Sequence, residues 1–282
     1  MRRTEVRTVL LLDSPALRPY HKLPYIPELQ ARYAARVVPS WSALHDALRD
    51  APPSTVAVVD PYHDAGDGDA PAGHVHETLR RFPSVPLVVA LDFRPGQVGE
   101  VKTLLEWGIS EMVDLELERT PPAFVLRVRE AHARPLKRRM EAEIPRHVST
   151  NGLTLLRAAA EVAADGGGVL DVARLFGVDT RTVAAWCARE GLPSPRRIVA
   201  WARTLLAAML LEEPERSMAG VARACGYAND HALRRALRQL LGDPVPPRER
   251  LLPAAKTRFH AELREAREST RERRRAARSE AR

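Results

Sequence analysis

One sequence motif occurs twice in the second half of this 282-residue chain. The stretch VARLFGV at residues 172–178 recurs as VARACGY at residues 221–227. In both copies a short apolar segment ends at a glycine, and a residue suited to begin a new helix follows, Asp179 or Asn229. The alanine at the second position of each copy lets two helices cross closely. The repeat therefore predicts two helix-turn-helix units.

The second helix of each unit is expected to have one apolar and one polar face. In the first unit the apolar residues are Val183, Trp186 and Cys187, and the outward residues are Arg181, Ala184, Ala185, Ala188 and Arg189. In the second unit the apolar residues are Ala232, Leu233, Ala236, Leu237, Leu240 and Leu241, and the outward residues are Asp230, His231, Arg234, Arg235 and Arg238. Arginines on one helix face suit the major groove of DNA, where a guanidinium pairs with guanine or neutralises phosphate. We therefore predict that both outward faces bind DNA; a solvated surface is the alternative.

A single helix is predicted to connect the two units. Ser194 and Pro195 are typical of a helix start, and apolar residues then recur at helical spacing as far as Leu211. A helix of this length spans about 25 Å. It is long enough to hold two recognition helices about 34 Å apart, in successive major grooves on one side of the duplex.

Residues 150–252 closely resemble the AraC/XylS-type DNA-binding domain. Besides the repeat, the matching residues are Arg203, Ala207, Leu210, Leu211, Ser217 and Asn229. The resemblance implies base contacts by Arg181, Ala184 and Ala185 in the first unit, and by Asp230, His231, Arg234 and Arg235 in the second. Since two of the first three are alanines, we expect the second unit to carry more of the specificity. The chain departs from the family where Ala232, Leu233 and Leu237 replace aromatic residues, and the last helix is expected at Pro246–Leu252.

The first half of the chain alternates short β-branched runs with helical patterns. The predicted strands are Val6–Leu12, Arg36–Val38, Thr55–Val59, Leu87–Leu91 and Glu111–Val113. The predicted helices are Glu28–Arg32, Trp41–Arg49, Val75–Arg81, Gln97–Trp107 and Ala123–Lys137. This alternation predicts an α/β domain with a five-stranded parallel sheet covered on both faces. Ligand sites in such sheets lie beyond the carboxyl ends of the strands, where Asp13, Asp60 and Asp92 stand.

Residues 4–140 resemble a response-regulator receiver domain, a flavodoxin-like fold, and we place this domain at residues 1–144. The resemblance puts Asp60 at the phospho-accepting position and Asp13 in the Mg²⁺-binding acidic pair. The second acid, the hydroxyl residue and the lysine of the family are absent, with Leu91 or Ala90 and Leu115 in the last two places. A pseudo-receiver is therefore predicted; the alternative is a regulator that is phosphorylated on Asp60.

The loop after Asp60 concentrates potential metal ligands: His63, Asp64, Asp67, Asp69, His74, His76 and Glu77. Their spacing matches no recognised metal site, and the Gly, Pro, Asp and Ala content of the loop is typical of a solvated turn. No glycine-rich nucleotide-binding motif follows any strand. We expect no metal and no cofactor.

The charge is unevenly distributed. The chain has a net charge of +8, but residues 1–150 contain 20 basic and 20 acidic side chains, so the excess lies downstream. Residues 253–282 contain ten basic and five acidic side chains, including the run Arg273–Arg275. We predict a solvated tail, helical in part or disordered, that contacts phosphates without reading sequence.

Composition also restricts the setting of the protein. Two cysteines, Cys187 and Cys225, cannot form a disulfide framework or a four-cysteine zinc site, which favours the reducing cytoplasm. The apolar run near the amino terminus is too short for a signal peptide, and no apolar stretch is long enough to cross a bilayer. We expect a cytoplasmic, nucleoid-associated protein that does not interact with membranes.

Together these features predict a sequence-specific DNA-binding transcription regulator without enzymatic activity. Its expected partners are double-stranded DNA, RNA polymerase and a second copy of the chain bound through the first domain. Two alternatives stay open: a phosphorylation-dependent response regulator, and an adaptor that uses helix-turn-helix units to bind proteins.

Overall fold

The computed structural model describes residues 6–23, 32–49, 51, 55–63, 72–92, 98–146, 148–213 and 216–280. The chain divides into two compact units, Met1–Pro135 and Leu136–Arg282. The division falls inside a helix and earlier than residue 144, where the sequence placed the end of the first domain.

The first unit alternates strands and helices, as predicted. Its elements are β1 (Val6–Leu12), a 3₁₀ helix (Pro15–Tyr20), β2 (Arg32–Val38), α1 (Trp41–Arg49), β3 (Val56–Val59), α2 (Ala72–Arg81), β4 (Leu87–Leu91), α3 (Val98–Trp107), β5 (Glu111–Asp114) and most of α4 (Pro121–Ala142). All strand pairs are parallel, and their order is β2-β1-β3-β4-β5. This is the order of flavodoxin-like and receiver domains, in which the crossover changes direction beside β1.

Alternate residues of the strands bury on opposite faces of the sheet, because side chains of a strand point up and down in turn. Leu10, Ala57 and Val89 pack on one face against side chains of α1, α2 and α3. Val9 and Val58 pack on the other face against the 3₁₀ helix and α4. There the rings of Tyr20 and Phe124 stack with centroids 4.0 Å apart. The sheet is therefore covered on both sides.

Two neighbouring predicted elements differ. The sequence placed a helix at Glu28–Arg32 and a strand only from Arg36. Residues 28–31 lie outside the described residues, but Arg32 begins β2, which pairs with β1 over its full length. β2 is an edge strand, so it tolerates polar and alanine residues. Because of these residues, a search for apolar runs predicts only its last part.

The second unit is helical. Besides the end of α4, its elements are α5 (Thr150–Ala164), α6 (Val169–Leu175), α7 (Thr180–Glu190), α8 (Pro195–Leu210), α9 (Met218–Ala224), α10 (Asp230–Leu241) and α11 (Arg248–Glu280). α8 is the predicted connecting helix: the Ser194 hydroxyl caps its first turn, Pro195 follows, and 12 of its 16 residues are buried. α5 and α11 pack against it. No helix in the described ranges is both long and apolar enough to cross a membrane.

The end of the chain differs from the expected short helix and tail. Arg248–Glu280 is one continuous helix, and Leu252, Phe259 and Leu263 on it are buried. With the buried Ala255, these residues continue an apolar stripe at spacings of three and four beyond residue 252, into the segment interpreted as a solvated tail. The high charge of the segment concealed the stripe.

Candidate nucleic-acid interface

The two sequence repeats fold into the same backbone structure. In the first unit the Val178 N–H donates to the Ala173 carbonyl over 3.0 Å, and in the second the Tyr227 N–H donates to the Ala222 carbonyl over 2.8 Å. The glycine before each donor has a positive φ, +66° in one unit and +73° in the other. A side chain would be strained in this conformation, so glycine allows the turn between the helices. The helix-turn-helix geometry is thus present in both units.

Both predicted capping residues begin the second helix of their unit. Asp179 Oδ1 accepts the Thr182 N–H over 2.6 Å at the start of α7, and Asn229 Oδ1 accepts the Ala232 N–H over 2.9 Å at the start of α10. The hydrogen bond from the Thr182 backbone lowers the pKa of Asp179. The caps fix the residue at which each helix begins, and hence which side chains face outward.

α7 has the two faces expected from its sequence. Val183 and Cys187 are buried, whereas Trp186 is half-buried and meets the ring of Phe176 edge-on, with centroids 5.7 Å apart. The predicted outward residues of α7 are all exposed: Arg181, Ala184, Ala185, Ala188 and Arg189. The exposed face of α7 thus carries an arginine at each end and alanines between.

α10 has the more strongly basic face. Its buried residues are Leu233, Leu237, Leu240 and Leu241, and its exposed residues include His231, Arg234, Arg235 and Arg238. Asp230 is half-buried, and its Oδ2 lies 3.7 Å from Arg234 Nε. One acceptor and several donors therefore face outward from one helix.

An open depression of about 790 Å³ runs along this face of α10. Asn229, His231, Arg235 and Arg238 line it, and so does Gln239, which sequence reasoning did not single out. Gln239 lies four residues after Arg235, so helical spacing alone could have included it. Its side-chain amide can donate to one base atom and accept from another, as in pairing with adenine.

The two helix-turn-helix units touch each other through glycines. A Cβ on Gly226 would lie 2.7 Å from the Gly166 carbonyl oxygen, in the loop between α5 and α6. Arg203 of α8 donates hydrogen bonds to the carbonyls of Gly166 and Gly167, and its guanidinium carbon lies 5.8 Å from the centre of the Tyr227 ring. One arginine thus contacts both units and holds the turn of the second against the first.

The cysteines are structural. Both are buried and unpaired. Burial raises the pKa of Cys187 to about 11 and raises the pKa of Cys225 further. A thiol that stays protonated and shielded is a poor nucleophile and metal ligand.

The acidic residues of the receiver-like domain lie at the carboxyl edge of the sheet, as predicted. Asp13 and Asp60 follow adjacent strands; Asp13 Oδ1 lies 3.9 Å from His21 Nε2, and Asp60 Oδ1 accepts the Tyr62 N–H over 3.0 Å. Asp92 is exposed. Leu115, at the position of the family's lysine, is buried in the core. Asp60 therefore caps its own turn, and an apolar side chain occupies the place of the cation.

The candidate metal ligands after Asp60 do not form a cluster in the described part of the chain. Asp64, Asp67 and Asp69 lie outside the described residues. His74 stacks on Trp41 and His76 packs on Trp107, with ring centroids 5.2 and 4.5 Å apart. Among the residues that the structure describes, no group of three or more His, Cys, Asp or Glu side chains could hold a metal ion.

A comparison with protein families supports the helix-turn-helix structure of the second unit. The family model described as a helix-turn-helix domain matches residues 172–247. A search of curated proteins finds no match. Among solved structures, full-length FixJ from B. japonicum is 16% identical over 73% of this chain and 98% of that chain, with a TM-score of 0.27.

That TM-score is too low to support a fold, so the receiver-like assignment of the first unit depends on its strand order. The family match spans both turns together with α7 and α10, from Val172 in α6 to Pro247 after α10. Domains of this kind occur in DNA-binding transcription regulators. Residues 172–247 of this chain are an AraC-type helix-turn-helix domain.

Proposed function

We propose that this protein is a sequence-specific transcription regulator in which α7 and α10 bind successive major grooves of one DNA site. The observation that supports this most is the pair of like-folded turns, each followed by a capped helix with an exposed face that includes arginine. The proposed DNA-contacting residues are Arg181, Ala184, Ala185, Arg189, Asp230, His231, Arg234, Arg235 and Arg238.

The contact between the two units supports simultaneous binding. Because Arg203 and the Gly166–Gly226 contact hold the units together, the separation of α7 and α10 has little freedom. α8, of 16 residues, spans about 24 Å between them. A site bound in this way has fixed spacing between its two halves.

Selection of binding sites from random duplexes, followed by footprinting, tests this function. We expect an asymmetric protected site of roughly 16–20 base pairs per monomer. Insertion of about five base pairs, half a helical turn, between the halves should remove the contribution of one half. The triple variant Arg234→Ala, Arg235→Ala and Arg238→Ala should lose sequence preference, whereas Arg36→Ala with Arg80→Ala, exposed in the α/β unit, should keep it. Equal binding to all sequences by the unaltered protein would contradict the proposal.

The α/β unit is proposed as the regulatory part, which receives a signal or pairs two copies of the chain. RNA polymerase is the further partner that a transcription regulator of this kind would contact.

The arrangement around Asp60 favours a pseudo-receiver, because the Asp60 carboxylate accepts a backbone hydrogen bond in its own turn and Leu115 replaces a cation. Incubation with a small phosphodonor and Mg²⁺ should leave the mass of the protein unchanged. A stable mass increase that Asp60→Asn abolishes would support the phosphorylation-dependent alternative instead.

The protein-binding adaptor is the second candidate. The observation that favours it is the row of exposed alanines on α7, Ala184, Ala185 and Ala188, which offers few donors to DNA. An adaptor would show no salt-sensitive binding to any duplex, because such binding comes from neutralised phosphates.

A further inference from the structure

The middle of α11 is held in a defined position on the helix-turn-helix domain. Phe259 and Leu263 are buried beside α8, and Glu262 accepts two hydrogen bonds from Arg197, of 2.6 and 2.8 Å, and one from Trp201 Nε1 of 2.7 Å. A continuous helix carries this orientation onward to the residues that follow. Residues 264–275, which we call the arginine segment, therefore project in a fixed direction.

The arginine segment lies against the carboxyl end of α7, the first recognition helix. A Cβ on Gly191, the residue that ends α7, would lie 3.4 Å from the Arg267 Cα. Further along, Arg274 donates a hydrogen bond of 2.5 Å to the carbonyl of Arg189. A cation suits this position because the carbonyls at a helix carboxyl end are partially negative. The segment thus borders the exposed face of α7 at Arg189.

The charge of the segment is largely uncompensated. It contains six arginines and three glutamates. Within the described residues none of the six forms an ion pair, whereas Lys256, earlier on the same helix, lies 3.5 Å from Glu143. Arg264, Arg271, Arg273 and Arg275 are exposed. A surface of this kind fits a polyanion.

The geometry of a DNA complex would bring a phosphate backbone to this surface. Axes of packed helices are about 8–10 Å apart. The major groove is about 12 Å wide, so the strands that flank a helix in the groove pass at a similar distance from it. An element packed beside α7 is therefore within reach of a flanking strand through extended arginine side chains.

We propose that the arginine segment binds the sugar-phosphate backbone beside the half-site of α7 and holds α7 in its groove without reading sequence. This inference rests on the proposed function. It gives α7, whose outward face is mostly alanine, a separate source of affinity. Arg271, Arg273 and Arg275 supply the contacts, while Arg274 fixes the segment to α7.

The test compares three triple variants on a duplex obtained by site selection. Arg271→Ala with Arg273→Ala and Arg275→Ala removes the proposed contacts. Replacement of the same three residues by Lys keeps the charge. Arg36→Ala with Arg80→Ala and Arg119→Ala removes three exposed charges from the α/β unit. Circular dichroism of each variant checks that the helix is retained, and fluorescence anisotropy at several salt concentrations gives the affinity and its salt dependence.

The alanine variant should bind all sequences about ten-fold or more weakly near 0.15 M salt, and its plot of log affinity against log salt should be shallower by about one per arginine. The ratio of selected to scrambled affinity should not change. Hydroxyl-radical protection should shrink only beside the α7 half-site. The lysine variant should keep most of the affinity and the salt slope, because lysine also neutralises a phosphate as a point charge. The α/β control should keep the slope of the unaltered protein.

Two failures are distinguishable. If the unaltered protein binds its selected site but the alanine variant keeps the same slope and footprint, the arginine segment does not bind the backbone. The same conclusion follows if the α/β control loses as much as the alanine variant, because net charge would then explain the effect. If the unaltered protein binds no duplex in a salt-sensitive way, the proposed function itself is wrong.

Discussion

The two helix-turn-helix units have the same turn but different outward faces. Counted from the capping residue, the alanines of α7 occupy the positions that arginines occupy in α10: Ala184 and Arg234, Ala185 and Arg235, Ala188 and Arg238. All six side chains are exposed. The positions that build the turn are thus alike in the two units, and the positions available to a ligand are not. Residues that determine the fold and residues that determine contact can change separately in such a repeat.

The units also differ in what surrounds their turns. The space next to Gly177 in the first turn is open, whereas Gly226 in the second turn lies against the backbone of Gly166. α7 of the first unit is supported instead at its carboxyl end, where α11 meets Gly191. Equivalent positions of a repeat therefore have unequal structural roles.

The largest difference is expected between the two turn glycines. Gly226→Ala forces a side chain into a positive-φ position and against the Gly166 carbonyl, so it should destabilise the second unit by about 3 kcal/mol. Gly177→Ala meets only the conformational strain and should cost about 1 kcal/mol. Urea unfolding followed by circular dichroism measures both. Equal losses would mean that the glycine contact between the units does not matter for stability.

The next effect concerns the matching positions that hold alanine in α7 and arginine in α10. Arg235→Ala should weaken discrimination at one base pair of the α10 half-site by about 2 kcal/mol, roughly a 30-fold change in affinity ratio. Ala185→Arg, at the matching position of α7, should create a new preference or stronger binding in the other half-site. Competition against duplexes with single base changes measures both. A uniform effect of Arg235→Ala on all sequences would identify a phosphate contact instead.

The caps give a smaller effect with different pH dependence in the two units. Asn229→Ala should cost about 1 kcal/mol at any pH, because the amide does not titrate. Asp179→Ala should also destabilise at neutral pH, but its cost should shrink in acid. Since the fold lowers the pKa of Asp179, its stabilisation is complete above the unfolded value and is lost as the pH falls through the folded value.

Thermal unfolding of both cap variants between pH 7 and about pH 3 separates these cases, because the unfolded pKa of aspartate is about 3.9. The Asn229 variant is the control for general acid effects. A cost of Asp179→Ala that does not change with pH would show that the carboxylate is not the stabilising form.

The features that sequence predicted best depend on neighbouring residues. The turn glycines, Asp179, Asn229 and Ser194 act on backbone groups a few residues away, so their residue types report their roles directly. The buried stripe of α10 follows from spacing alone. The outward residues of both helices could be assigned for the same reason.

What could not be predicted depends on distant residues. The contact of Gly166 with Gly226 joins positions 60 residues apart, and neither glycine has a side chain from which a partner could be predicted. In the sequence, Glu262 is one of many charged residues in a polar segment. Only the structure shows that it accepts hydrogen bonds from Arg197 and Trp201. Leu263 and Phe259 were too sparse among the arginines to suggest a packed helix. In the α/β unit, the strand predicted from the sequence was shorter than β2, because an edge strand needs fewer apolar residues.

The smallest effect is expected at the start of the two recognition helices. Asp230 pairs with Arg234 one turn later, and the matching residue of α7 is the neutral Thr180. Asp230→Asn should cost about 0.5 kcal/mol of stability, from the lost pair and the lost charge at a helix amino end. On duplexes that lack the base it contacts, Asp230→Asn should nevertheless tighten binding by about two-fold, because a carboxylate near phosphates is removed and Arg234 is released. Thr180→Asp should weaken binding by a similar factor. Anisotropy at low and high salt tests the pair, since both changes should vanish as salt screens them; changes that persist at high salt would contradict this electrostatic explanation.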